Sequence, residues 1–70
     1  MLDVIVRCLL RDRRIAQGLS QRDLEIISGI PRSRISNYET GKVDMTVETA
    51  VKFAIILKCT LDDLFEYNRV

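Results

Sequence analysis

Apolar residues recur along the chain at spacings of three and four, and polar or glycine-containing breaks separate the resulting segments. This spacing is typical of amphipathic helices. A first helix is predicted to begin after Asp3 and to end at Gly18, with Val6 and Leu10 on its inward face. No segment alternates apolar and polar residues between turn signals, and no Asn-Gly or Asp-Gly pair marks a hairpin. The pattern therefore predicts an all-α domain.

Two further helices are predicted in the middle of the chain. Ser20 begins one of them, with Asp23 three positions later as its partner in a capping box, and Gly29 ends it. Pro31 opens the next, because a proline at the first helical position gives up only an amide that has no partner there. That helix ends at residues 40–41. The residues predicted to face the core are Leu24 and Ile27 in the second helix and Ile35 and Tyr38 in the third.

The last third of the chain carries the same capping signals. Thr46 is the predicted cap of a fourth helix, and Thr60 with Asp63 predicts a short fifth helix. No repeat or linker divides the chain, so residues 1–70 are predicted to form a single five-helix domain. The apolar positions at helical spacing are Val47, Ala50, Val51, Ala54 and Leu57 in the fourth helix and Leu61, Leu64 and Phe65 in the fifth.

The second and third helices, joined across a short glycine turn, have the layout of a helix-turn-helix motif at about residues 20–40. In that motif the second helix enters the major groove of DNA while the first crosses the backbone. Arg32, Ser33, Ser36 and Asn37 lie on one side of the third helix, where Arg suits guanine, Asn suits adenine and Ser suits either. A polar face with two arginines is also typical of a merely solvated surface, so the layout alone leaves both interpretations open.

A longer string of residues favours the DNA-binding interpretation. It comprises Arg14, Gly18, Leu19, Ser20, Gln21, Leu24, Ser28, Gly29, Ile30, Arg32, Ser33, Ile35, Ser36, Tyr38, Glu39, Thr40, Gly41, Lys42, Thr49, Ala54, Leu57 and residues 61–65. On these positions, residues 11–65 resemble the Cro and phage-repressor (XRE-type) helix-turn-helix family without a gap. The resemblance implies a compact five-helix, lambda-repressor-like domain that binds double-stranded DNA.

The resemblance also implies roles for individual residues. Arg32, Ser33 and Asn37 match the base-reading positions of the family. Gln21 matches a Gln whose amide binds a DNA phosphate and supports the reading helix. Phosphate contacts, which fix register without reading sequence, are implied for Arg34, Thr40 and Lys42.

Arg14 and Glu39 match a pair that ties the first helix of the family to the end of the third. The alternative for this pair is two surface charges that never meet.

The chain departs from the family pattern at five positions. Pro31 stands where a hydroxyl or Asn cap is frequent, so one capping or phosphate contact is expected to be lost. Arg13 replaces a frequent Leu and is expected to offer a phosphate contact instead. Lys58 replaces the usual Gly after the fourth helix, so that turn is expected either to be slightly strained or to close differently. Ile55 and Ile56 replace a Lys-like residue and a small one.

Apolar residues exceed what one small core needs. Ile5, Cys8 and Leu9 widen the apolar face of the predicted first helix, and Tyr67 and Val70 add to it at the other end of the chain. A homodimer would bury this surplus, whereas the alternative is a monomer that packs these residues internally. The predicted interface consists of Ile5, Leu9, Ile55 and Tyr67.

Composition narrows the possible functions. The chain has 70 residues, 47% of them apolar, which is enough for one core and too little for a two-lobed enzyme. It contains no His, and its two cysteines, Cys8 and Cys59, are 51 positions apart. We therefore expect no metal site, no cofactor and no enzymatic activity. In a reducing compartment the two cysteines are expected to be core residues, with a disulfide as the alternative.

Targeting signals and charge complete the sequence-based picture. The longest apolar run is five residues, at positions 53–57, and the first residues lack a basic segment, so a cytoplasmic protein without a membrane span is expected. Residues 1–42 carry a net charge of +3, and residues 43–70 a net charge of −2. A polyanion would be attracted to the first part of the chain.

Two classes of function remain. The first is a small dimeric transcriptional regulator, repressor-like, that reads a palindromic operator with the helix at residues 31–40. The second is a protein-interaction module or antitoxin that uses the same fold to bind a protein partner. Arg32 and Arg34 on the third helix favour DNA, because Glu39 is the single acid of that helix. The sequence identifies no protein antagonist.

Overall fold

The computed structural model describes residues 4–69, without the side chains of Ile5 and Arg69. Its elements in chain order are β1 (Val4–Cys8), α1 (Leu10–Ala16), α2 (Gln21–Ser28), α3 (Arg32–Glu39), α4 (Val47–Ile56), a 3₁₀ helix (Asp62–Leu64) and β2 (Phe65–Arg69). The prediction of five helices is wrong, since the described residues form four α-helices and one 3₁₀ turn. The domain is mostly helical, with a two-stranded antiparallel sheet formed by β1 and β2.

The sheet corrects the prediction of an all-α fold and of a first helix beginning after Asp3. In β1, Val4 lies opposite Arg69 and Cys8 lies opposite Phe65, and α1 begins only at Leu10. Three consecutive β-branched residues at positions 4–6 favour extended backbone. The two strands lie far apart in the sequence, so no local turn signal could predict that they pair.

The predicted fifth helix is reduced to one turn. Its capping interactions do form: the Thr60 amide donates to Asp63 Oδ2 at 2.9 Å, and the Asp63 amide donates to Thr60 Oγ1 at 3.2 Å. The chain then becomes extended at Phe65 because it pairs with β1. The Leu9 amide donates to the Leu64 carbonyl at 2.8 Å, which attaches the sheet to the helical body.

The caps of α2 and α4 lie where the sequence predicts them. The Asp23 amide donates to Ser20 Oγ at 3.0 Å, and the Ser20 amide donates to Asp23 Oδ2 at 2.9 Å, so the capping box is complete. The hydrogen bonds from Ser20 lower the pKa of Asp23. Gly29 ends α2 with φ of 75°, and Thr46 accepts from the Thr49 amide at the start of α4.

One apolar core holds the four helices and the 3₁₀ helix together. The rings of Tyr38 and Phe53 pack edge to face, with 6.3 Å between the ring centroids and an angle of 71° between the ring planes. Val6 and Ile27, both predicted to face inward, are exposed instead, because β1 replaces the helix assumed for Val6 and α2 presents Leu24 to the core. The fully buried large side chains are Leu10, Leu24, Ile35, Phe53, Leu57 and Leu64.

The two cysteines pack against the core without being fully buried, and the turn after α4 is strained, which was one of its two predicted outcomes. Cys8 and Cys59 are free thiols that are half-buried against the core, and this burial raises the pKa of both. Lys58 takes φ of 56°, a left-handed conformation that is strained for a residue with a Cβ atom. Within residues 4–69 no helix is long and apolar enough to span a membrane.

Candidate nucleic-acid interface

The outward face of α3 contains the residues predicted to read bases. Ile35 and Tyr38 anchor the opposite face of this helix in the core. Arg32 and Ser33 are exposed in the first turn, and Asn37 is half-buried one turn further on. Positions 33 and 37 are four apart, so their side chains project on the same side of the helix. Ser33 and Asn37 therefore share one side of α3, and the exposed Arg32 lies in the first turn of the same helix.

An open groove lies between α2 and the beginning of α3. Two arginines and one carboxylate line it, together with short polar side chains. No ion pair engages Arg32 or Arg34 in the part of the chain that the structure describes, so both guanidinium groups are available to a ligand. The lining residues are Gln21, Arg22, Glu25, Pro31, Arg32, Ser33 and Ser36.

The start of α3 differs from the sequence-based expectation. Pro31 offers no side-chain cap, as predicted from the missing hydroxyl. Glu25 on α2 replaces that cap, because its Oε2 atom accepts a hydrogen bond from the Arg32 amide at 2.7 Å. Glu25 was not predicted as a site residue, and the one available signal in the sequence was an acid on α2 seven positions before the first residue of α3.

Arg14 and Glu39 form a buried ion pair that joins α1 to α3. Arg14 Nε donates to Glu39 Oε2 at 2.7 Å, and Arg14 Nη2 donates to Glu39 Oε1 at 3.1 Å. The Glu39 side chain is only 3% exposed. Arg14 Nη1 also donates to the Leu19 carbonyl at 2.8 Å, a partner absent from the sequence reasoning. The hydrogen bonds to Glu39 raise the pKa of Arg14.

Gln21 extends this network to α2. Its Nε2 atom donates to Glu39 Oε1 at 3.0 Å, so Glu39 accepts from both preceding helices. An amide nitrogen carries two hydrogens, and the second hydrogen of Gln21 is left for another acceptor. Gln21 therefore helps to hold the end of α3 through Glu39, and one of its N–H donors stays available at the edge of the groove.

The C-terminal end of α3 is held by backbone contacts. The amides of Lys42 and Val43 both donate to the Asn37 carbonyl, at 2.9 and 3.2 Å. Thr40 Oγ1 donates to the Ser36 carbonyl at 3.0 Å. Gly41, with φ of 79°, allows the chain to turn here, and the Lys42 side chain is exposed just beyond it.

Arg13, predicted to contact a DNA phosphate, forms contacts within the protein. Its Nε atom donates to the Asp63 carbonyl at 3.1 Å, and its Nη2 atom lies 3.5 Å from Asp63 Oδ1. These contacts tie α1 to the 3₁₀ helix rather than to the α2–α3 groove. We therefore leave Arg13 out of the proposed DNA contacts.

The residues predicted to form a dimer interface lie on different elements. Ile55 is 72% exposed and shares one stripe of α4 with the exposed Val47 and Val51. Tyr67 is 66% exposed and lies opposite Val6 in the sheet. Leu9 is half-buried. The Ile5 side chain lies outside the described part of the structure, although its backbone pairs with Asn68 in the sheet.

Comparisons with known proteins agree with this geometry. The model of a family described as helix-turn-helix matches residues 10–64, from the first residue of α1 to the last residue of the 3₁₀ helix. The chain is also similar to the SPbeta prophage-derived uncharacterized HTH-type transcriptional regulator YopS of Bacillus subtilis (strain 168). The two are 33% identical over 65 residues, which cover 91% of this chain and 88% of that protein.

Proposed function

The chain belongs to the helix-turn-helix family of the Cro and phage-repressor type, and from this premise we propose that it is a transcriptional regulator that binds double-stranded DNA in a sequence-specific manner. The α3 helix enters the major groove, where Arg32, Ser33 and Asn37 contact base edges. The similarity to a Bacillus protein named as an HTH-type transcriptional regulator supports this proposal.

One observation carries the proposal: the two sides of α3 have opposite characters. Its inner side is fixed to α1 and α2 by the Arg14, Glu39 and Gln21 network. Its outer side presents Arg32 without an intramolecular ion pair among the described residues. A rigid helix with available donors can hold side chains in register with base edges, because their positions do not have to be ordered on binding.

Contacts to the DNA backbone fix the position of α3 in the groove. Arg34 and Lys42 offer exposed cations on α3 and just after it. Gln21 contributes its second amide hydrogen, and Thr40 contributes its hydroxyl by rotating away from the Ser36 carbonyl. These contacts supply affinity that falls with rising salt, without reading sequence.

The protein acts as a homodimer on a palindromic operator. Reading two half-sites requires the two α3 helices to lie about one DNA turn, roughly 34 Å, apart. The exposed Ile55 and Tyr67 support an interface that involves α4 and the sheet. Ile5 and Leu9 stay predicted members of that interface. A cytoplasmic location and the absence of a cofactor remain predictions.

Selection of binding sites from random duplex DNA tests this function. The expected result is a consensus with two inverted half-sites whose centres are about 10 base pairs apart. A consensus with a single half-site would support DNA reading and contradict the dimer. Recovery of no consensus, with binding that depends only on salt, would contradict sequence-specific regulation.

A further inference from the structure

We propose that Glu25 is a positioning residue for DNA recognition, an inference that rests on the proposed function. Its carboxylate caps the reading helix α3 in place of Pro31, and its charge keeps DNA phosphates away from that end of the helix. Without Glu25, a DNA phosphate of any sequence could bind the first amides of α3. With Glu25 in place, Arg32 and Ser33 at that end of the helix contact base edges, so the protein favours its operator over unrelated DNA.

The geometry of the cap is direct. The first amides of a helix have no partner within the helix, and they attract anions. Here the Arg32 amide is bound to Glu25 Oε2 at 2.7 Å, a short distance typical of a hydrogen bond to a carboxylate. The Arg34 amide donates to the Pro31 carbonyl at 3.0 Å. Of the first three amides of α3, that of Ser33 alone lacks a partner among the described residues.

The second step concerns charge. Glu25 lines the same groove as Arg22 and Arg32, and no ion pair joins it to either arginine in the described part of the chain. A phosphate that approached the start of α3 would compete with the carboxylate for the Arg32 amide and would be repelled by it. A phosphate at this point would bind any DNA sequence equally, because backbone contacts carry no sequence information.

A cap alone would be a structural feature without effect on selectivity. The two roles separate in Glu25→Gln, because a glutamine keeps an oxygen that can accept from the Arg32 amide but removes the charge. Glu25→Ala removes both. Glu48→Gln, at an exposed position in the first turn of α4 and outside the groove, is the matched control for the same change in net charge.

The experiment has two parts. Amide NMR spectra of the free proteins follow the Arg32 resonance, which is expected to stay near its wild-type position in Glu25→Gln and to move upfield in Glu25→Ala as the hydrogen bond is lost. Affinities for the selected operator and for a random duplex are then measured between about 50 and 200 mM salt. Glu25→Gln is expected to bind the random duplex about 3- to 10-fold more tightly than Glu48→Gln does, with a salt slope steeper by about 1. The operator should gain less, so the specificity ratio falls.

Two results would overturn the inference. If Glu25→Gln matched Glu48→Gln in both affinities, the charge of Glu25 would have no role in selectivity. If the Arg32 amide resonance stayed in place in Glu25→Ala, Glu25 would not be the cap. A wild-type protein that bound no duplex would instead contradict the proposed function, and the selectivity role would be rejected with it, while the NMR spectra would still decide whether Glu25 is the cap.

Discussion

Breaking the Arg14–Glu39 pair is expected to destabilise the fold far more than breaking a surface pair. The perturbation is Glu39→Leu, with Arg14→Met and the double variant completing a double-mutant cycle. Glu39 accepts two hydrogen bonds from Arg14 and one from Gln21. Its removal leaves an arginine that is 8% exposed with the Leu19 carbonyl as its remaining partner.

The magnitude follows from this burial. Removing one member of a buried ion pair costs about 3 to 5 kcal/mol, because the other charge stays buried without compensation. A domain of this length has a free energy of unfolding of about 4 to 10 kcal/mol. Glu39→Leu is therefore expected to lose a large part of the stability of the domain and to unfold at a much lower urea concentration. The double variant should recover part of the loss, because it leaves no buried charge.

Urea unfolding measures the four free energies of the cycle. The coupling between Arg14 and Glu39 is expected to reach about 2 kcal/mol or more. The matched control is the surface pair Arg13 and Asp63, 42% and 40% exposed, with Arg13→Ala and Asp63→Asn as the single variants. Its coupling should lie at about 0 to 1 kcal/mol. Equal coupling energies for the two pairs would refute the argument that burial makes the Arg14–Glu39 pair contribute more to stability than a surface pair.

Three further predictions concern DNA contacts, assembly and pH. In gel-shift titrations, Asn37→Ala should weaken operator binding by about 1 to 3 kcal/mol and relax the preference at particular base pairs. Lys42→Ala should weaken binding to all duplexes alike and lower the salt slope by about 1. Identical behaviour of the two variants would contradict their separate roles. Ile55→Lys should shift the protein toward monomer in sedimentation while its circular dichroism spectrum stays helical. A wild-type protein that sediments as a monomer with and without operator would contradict the proposed homodimer. Hydrogen bonds from Ser20 lower the pKa of Asp23 in the folded state. The stability that this carboxylate contributes is therefore present above its unfolded pKa of about 3.8 and is lost as the pH falls through its folded pKa. Asp23→Asn should flatten this acid part of a plot of urea midpoint against pH, and an unchanged acid part would contradict the stabilising role of the cap.

Local signals account for the parts of the fold and the site that the sequence predicted. The Ser20 and Thr46 caps and the Gly29 turn each depend on residues within a few positions, so their patterns are visible without the fold. The sheet was missed because β1 and β2 pair across nearly the whole chain. Ile27 was misplaced because helical spacing alone does not say which side of a short helix meets its neighbour.

In the candidate site, too, features set by local sequence were predicted and contacts between distant residues were not. The outward positions of Ser33 and Asn37 follow from helical periodicity, because Ile35 and Tyr38 must face the core. The cap from Glu25 could not be predicted, since it depends on how closely α2 approaches α3 after the turn. The Arg13 contact with Asp63 was missed because the two residues lie 50 positions apart in the sequence.

The most direct test of the central claim compares wild type with Arg32→Ala on the selected operator and on operators that each carry one changed base pair. If α3 reads the major groove, the wild type loses about 1 to 3 kcal/mol at each contacted pair. Arg32→Ala is then expected to lose discrimination at one G·C pair in each half-site and to keep it elsewhere. An unchanged profile of discrimination, at unchanged affinity, would contradict the assignment of α3 as the reading helix.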